Sequence, residues 1–497
     1  MRAAVWSRFV IVEDPPDETA AGLSVHDRDR FFERLTAFRF GLYECFDAWP
    51  DTLFELVDAL TGAARPVRSL AELMFEPRLR RGWGSVYQAV QHGRIDVDLF
   101  RRLLVGQTCA DAGAGPLVFA MDTTCYPRPD TRLVDDVGMQ YTPGRTVNGS
   151  PAVPGWSMQL LVRVAEDGLE QSVRSWTMPM DMRRVPADGN ANEIAAEQLR
   201  ELAARLQAFG GTDVPVLVLF DAGYCPIYLT QHRPDRVQLL VRLRTDRVFY
   251  GRPEPRQPSQ PGRARKHGRR FKLNDLTSWG TPDLDTTATG GDNARVRLRV
   301  WHGFHPEPRQ RRKWQGTDIV EGSLILRERS TPDGVTQVCW LWWAGPDDVF
   351  DPRVLAGAYP HRFSIEHTIR FLKQDLGWTK YTPLSTEQAE RWTWLVLAAY
   401  SQLHLSRPFA VDHRLPWEKP VPPGQLSPRR VARVFRHTAA QLTTPASAPK
   451  PSRPGRGRPI GAKNKTQRSR KPVIKKGRPA NTGHPQGQSP LAKASRP

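Results

Sequence analysis

The chain has 497 residues and a formal net charge of +20 at pH 7. That is too long for one small core, and at roughly 100–200 residues per domain it predicts two to four domains. Five scattered cysteines without a C-x-x-C, no apolar run near the ~20 residues that span a bilayer and no signal-peptide core exclude a disulfide framework, a cysteine zinc site and a membrane protein, leaving a soluble protein of a reducing, intracellular compartment.

After an uninformative start, Phe31, Leu35, Phe38, Leu42 and Cys45 recur at steps of four and three, predicting a helix over 27–48. A second helix starts near Asp51, and two more patterns at 85–91 and 97–105 complete a helical N-terminal domain over 1–110. Arg78, Arg80, Arg81 and Arg94 fall at its turns, where they either touch DNA phosphates or belong to an ordinary solvated surface. Gly and Ala crowd 111–116 and mark a boundary. Residues 117–121, LVFAM, are then apolar on both faces, the pattern of a central strand covered on both sides, and Asp122 ends it. Strands at 157–164 and 171–179 and a helix at 191–209 lead to a second buried strand, 214–220, ended by Asp221.

Residues 231–350 read as mainly β, with strands at 237–243, 294–301, 322–327 and 335–343. Within them, 262–272 packs six Lys or Arg into eleven residues, and Arg265, Lys266, Arg269 and Arg270 suit a loop that tracks phosphates. The stretch 358–378, AYPHRFSIEHTIRFLKQDLGW, repeats Ile365, Ile369, Leu372 and Leu376 at helical spacing. Tyr359, Arg362, Glu366, Arg370 and Lys373 share the face beside that stripe, one carboxylate among three cations. His361 and His367 point away and receive no role. A core helix over 387–405 closes residues 351–410, and a Pro-rich connector and basic helix occupy 411–443. From Pro445 to Pro497 there are fourteen Lys or Arg and no Asp or Glu, leaving +6 for the body, so 444–497 read as a disordered basic tail drawn to phosphate-rich partners.

Tyr359, Arg362, Glu366 and Lys373 satisfy Y-x2-R-x3-E-x6-K without a gap. This resembles the signature of the insertion-sequence DDE transposases, whose ribonuclease H-like catalytic domain is interrupted by a β insertion. The resemblance demands two upstream aspartates at the ends of buried strands. Asp122 in MDTTCY and Asp221 in DAGYC meet it, 99 and 145 positions apart along the order Asp122, Asp221, Glu366. The implied fold is α/β, a ribonuclease H-like domain split by a mainly β insertion, preceded by a helical domain and followed by the tail.

The resemblance further implies that Asp122, Asp221 and Glu366 are catalytic and hold two Mg²⁺ or Mn²⁺ ions. Carboxylate-only ligation favours such hard ions, and two of them can drive in-line displacement at a phosphodiester. It implies phosphate contacts for Arg362 and Lys373, a backbone contact for Tyr359, end binding by the helical domain, a homodimer on double-stranded DNA, and a bacterial cytoplasmic location at the nucleoid. Trp340, Trp342 and Trp343 are core residues by default; the family suggests that one stacks on a base extruded from the DNA. Arg456 and Arg458 lie in RPGRGRP, which resembles an AT-hook, with nonspecific DNA attraction as the other reading. Two rivals remain: a metal-dependent nuclease without strand transfer, and a domesticated DNA-binding protein without catalysis.

Overall fold

The two apolar runs ended by aspartate become neighbouring parallel strands. The computed structural model describes residues 25–451 except 64, 111–114, 130–133, 143–150, 167, 170–174, 211–213, 256–264, 290–292, 307–318, 346–349 and 423–424, together with 461 and 473–474. Arg456 and Arg458 therefore lie outside the described residues, with the rest of RPGRGRP.

The first part of the chain is helical: α1 (Val25–Glu44), α2 (Pro50–Gly62), α3 (Leu70–Leu73), α4 (Trp83–His92) and α5 (Val97–Ala110), with two short strands, β1 (Phe46–Ala48) and β2 (Arg94–Ile95), paired between them. Next come β3 (Leu117–Pro127), β4 (Gly138–Tyr141), β5 (Ala152–Val164), β6 (Met178–Val185), α6 (Ala191–Ala208), β7 (Val216–Phe220), α7 (Pro226–His232) and β8 (Val237–Leu243). The strand expected at 171–179 thus starts at Met178. Strands β3, β7 and β8 are parallel neighbours, while β5 runs antiparallel beside β3 and carries β4 and β6 on its other side. Their two-sided burial explains the unbroken VLVLF of β7, which is buried at every position.

Residues 237–243, assigned to the insertion from sequence, belong to this parallel core as β8. From there β9 (Val248–Tyr250), β10 (Arg270–Lys272), β11 (Leu284–Thr289), β12 (Arg295–Pro306), β13 (Gly322–Ser330) and β14 (Thr336–Trp343) continue the same sheet, with β14 antiparallel to β8. Among the described residues the sheet has twelve strands. Trp340, Trp342 and Trp343 are at most 2% exposed. Trp340 packs against Phe271, Trp279 and Trp301 at 5.0–5.8 Å between ring centroids. In this DNA-free state none of the three is open to an extruded base.

The chain ends in α8 (Pro352–Ala358), a 3-10 turn (Tyr359–Phe363), α9 (Ser364–Gln374), α10 (Thr386–Ser406) and α11 (Pro428–Gln441). Helix α10 is buried from Trp392 to Ser406, because α1, α2, α4 and α11 all pack on it. The N-terminal helices therefore wrap the last core helix rather than standing apart from it. Arg39, 0% exposed, donates to both oxygens of Asp58, at 2.9 Å for Nη2 to Oδ2, and also to Gln402 of α10. Asp58→Asn, which strands that buried guanidinium, is expected to cost about 3–5 kcal/mol in urea unfolding. A loss below about 1 kcal/mol, the ordinary size for an exposed pair, would contradict this packing.

Three of the four arginines singled out at the turns are spent internally, while Arg94 is exposed. Arg78 pairs with Asp58 at 3.3 Å, Arg80 with Glu55 at 2.6 Å, and Arg81 with Glu55 and Asp51 at 3.3 and 3.4 Å. Arg80 and Arg81 also donate to the carbonyls of residues 446–447, and Ala446 is buried. The first residues assigned to the tail are therefore tied to α2.

A second polar seam joins β5 to α10. Burial alone would raise the Glu166 carboxyl, but His404 at 2.7 Å and Arg407 hold it down at about 2, from an ordinary 4.5. A depressed carboxylate stabilises the fold above its unfolded value and loses that contribution as pH falls toward the folded one. Thermal melts of wild type and Glu166→Gln should therefore converge as pH drops from about 4.5 to about 2; a pH-independent gap would refute the pairing. Among the described residues no helix is long and apolar enough to cross a membrane.

Candidate active site

Met121 and Phe220 form the last rung between β3 and β7. Asp122 and Asp221 stand one residue beyond it, where the parallel pairing of β3 and β7 stops, on the side of the sheet where open α/β folds place their ligand sites. Asp122 does not end its strand, as the sequence suggested. Strand β3 runs on to Pro127 because β5 continues to pair with it after β7 has stopped.

Glu366 arrives from α9. Of the helix expected within 358–378, residues 359–363 form the 3-10 turn that follows α8 and only 364–374 are α9; Leu376 follows the helix rather than lying in it. The turn carries Arg362 into the carboxylates. Its guanidinium lies 3.1 Å from Asp122 Oδ2, 2.8 Å from Glu366 Oε1 and 3.9 Å from Asp221 Oδ1. Burial works against the charge of Arg362, but Tyr359, Asp122, Asp221 and Glu366 raise its pKa above the ordinary value. Burial also pushes the Asp122 carboxyl up; Arg362 opposes that and Asp221 adds to it. The three carboxylates thus surround one positive charge.

Lys373, seven residues after Glu366, donates to Thr124 Oγ1 at 2.6 Å and lies 5.8 Å from the centre of the Trp378 ring. Sequence reading missed Arg242, whose Nη1 is 3.9 Å from Asp221 Oδ1; the one basic residue of the apolar strand VQLLVRL was its signal. The Tyr359 hydroxyl is shielded from solvent and makes no hydrogen bond, so the expected outward contact to a DNA backbone is not available to it in this state. His361 bonds the Leu169 carbonyl and His367 packs edge-on against Phe363, both away from the carboxylates. Arg265, Lys266, Arg269 and Arg270 are exposed, but seven strand steps separate β10 from β3. They are not part of this cluster.

The DDE superfamily endonuclease family matches residues 41–306, more than half of the chain. The chain belongs to that family. The matched span of this DDE endonuclease contains Asp122 and Asp221 and ends before Glu366. Comparison with curated proteins gives no match.

Among the described residues no three His, Cys, Asp or Glu side chains stand gathered as a ready ligand set for a metal ion. In the DDE endonuclease cluster the guanidinium stands between the carboxylates instead. A donor set of carboxylate oxygens alone, already enclosing a cation, fits a hard divalent ion once Arg362 withdraws.

Proposed function

We propose that the chain is a DNA transposase that nicks the ends of a mobile element and joins them to target DNA at this site. The observation that carries the reading is the convergence of Asp122, Asp221 and Glu366 on one buried positive charge at the parallel strand ends. The ribonuclease H-like assignment is supported by the strand order, β5 antiparallel beside the parallel set β3, β7 and β8.

In this reading Asp122, Asp221 and Glu366 hold two Mg²⁺ or Mn²⁺ ions. When bound, such ions activate the attacking oxygen and stabilise the leaving oxygen of an in-line phosphodiester displacement. The protein's own part is to position and to neutralise. Arg362 trades its carboxylates for a DNA phosphate, a charge-assisted contact suited to its planar fork. Lys373, fixed by Thr124, points a second cation at the strand. The basic loop at Arg265, Lys266, Arg269 and Arg270 holds DNA farther out, and a second copy of the chain on the DNA supplies the other end.

Incubating the protein with Mg²⁺ and DNA from the flanks of its own gene tests the reading. Nicks at fixed positions followed by joined products are expected. Cutting without joining in the presence of target DNA would leave a nuclease, and binding without cutting a non-enzymatic protein.

A further inference from the structure

Beside the carboxylates lies an open cleft of about 560 Å³. Its origin is topological. Strand β7 stops at Phe220, so β3 beyond Met121 has no strand neighbour on that side, and Thr123, Thr124 and Pro127 form one wall. Helix α9 forms the other, presenting Glu366, Arg370 and Lys373 on successive turns. Thr379 and Lys380 close the far end, in a turn fixed by Gly377. That residue has φ +67°, and a Cβ there would come within 2.3 Å of the Val67 carbonyl.

The wall chemistry is one-sided. Arg370 and Lys380 are exposed and, among the described residues, make no ion pair or hydrogen bond through their side chains. They share the cleft with Lys373, with Thr123 and Thr124 on the other wall and Ile369 and Pro127 as its apolar lining. Phosphates at intervals, joined by apolar sugar and base surface, match that alternation. The volume suits a ligand of a few tens of atoms, the size of a few nucleotides of one strand.

We propose that this cleft seats an unpaired stretch of the DNA strand leading away from the scissile phosphate, with Arg370, Lys373 and Lys380 holding its phosphates. The proposal rests on the DNA-cleaving reading of the neighbouring carboxylates. It makes the site specific for frayed or single-stranded DNA at the point of cutting, and it adds Arg370, Thr379 and Lys380 to the substrate-binding residues.

The test compares full-length wild type with Arg370→Ala/Lys380→Ala, and with Arg370→Lys/Lys380→Arg as the charge-preserving control. The probes are a short duplex with unpaired flanks and the same duplex blunt-ended, titrated across salt without divalent metal. On the forked probe the salt slope of the alanine variant is expected to fall by about 1.4, roughly 0.7 for each single-strand phosphate that the protein no longer neutralises, and to return in the control. On the blunt probe it should not change. Equal decreases on both probes would mean that the cleft follows duplex DNA, and no decrease on either that its cations are merely solvated; both overturn the proposal. Cutting by wild type, assayed in parallel with Mg²⁺, separates the two readings. A protein that cuts while its variants keep the wild-type slope refutes the cleft alone, and one that shows the forked-probe signature but never cuts refutes only the cleavage reading.

Discussion

Asp122→Asn, Asp221→Asn and Glu366→Gln are each expected to lower Mg²⁺-dependent DNA cleavage by at least about 10³-fold, a loss of roughly 4 kcal/mol in transition-state stabilisation. The amide keeps the size of each side chain and removes the charge that a divalent ion needs. None of the three side chains carries the core: Asp221 and Glu366 are each 38% exposed, and Asp122 22%. The variants should therefore melt near wild type. DNA binding should persist or tighten, because removing one carboxylate frees Arg362 for phosphate. Gel-resolved cleavage with binding measured alongside checks this, and a variant that cuts normally would remove its residue from the site.

Arg362→Gln is expected to act in two directions. In the DNA-free protein the guanidinium competes with any cation for the same three carboxylates. Charges about 4 Å apart near a protein surface interact by as much as about 4 kcal/mol at an effective dielectric of 20, so even partial relief should raise Mn²⁺ affinity tenfold or more. Cleavage should nonetheless fall, since glutamine cannot replace the guanidinium on the phosphate. Wild type should bind Mn²⁺ weakly alone and more tightly with DNA, and by linkage Mn²⁺ should tighten DNA to the same degree; Arg362→Gln should abolish most of that coupling. The free-ion Mn²⁺ resonance, titrated with and without DNA, reads both effects. Unchanged or weaker Mn²⁺ binding in the variant would show that Arg362 does not compete for the carboxylates.

Much of this arrangement was legible because it depends on local patterns. Runs such as LVFAM and VLVLF suit central strands, and each carries its following aspartate to the same end of a parallel pairing. The spacing Arg362 to Glu366 is one helical turn, so their contact followed from the period. What the sequence hid is set by partners far along the chain. Strand β3 outruns its aspartate because β5 is longer than β7. The start of the expected helix, around Pro360, is a 3-10 turn, and that turn, rather than the face of α9, delivers Arg362. Arg78, Arg80 and Arg81 look like surface charge until α2 supplies Glu55 and Asp58, both 2% exposed. The alternation of Trp340, Trp342 and Trp343 suggested core residues, but not what would cover them: Trp340 meets Phe271, Trp279 and Trp301, Trp342 meets Phe249 and Trp343 meets Phe350, all from other segments.

The central claim is that Asp122, Asp221 and Glu366 form a two-ion site which Arg362 occupies until DNA draws it away. Anomalous scattering from Mn²⁺ in crystals of the DNA-bound protein tests it most directly. The account predicts two Mn²⁺ peaks bound by these three carboxylates, with the Arg362 guanidinium turned onto a phosphate. A complex that cuts DNA with no Mn²⁺ among them, and Arg362 still bonded to Asp122 and Glu366, would contradict it.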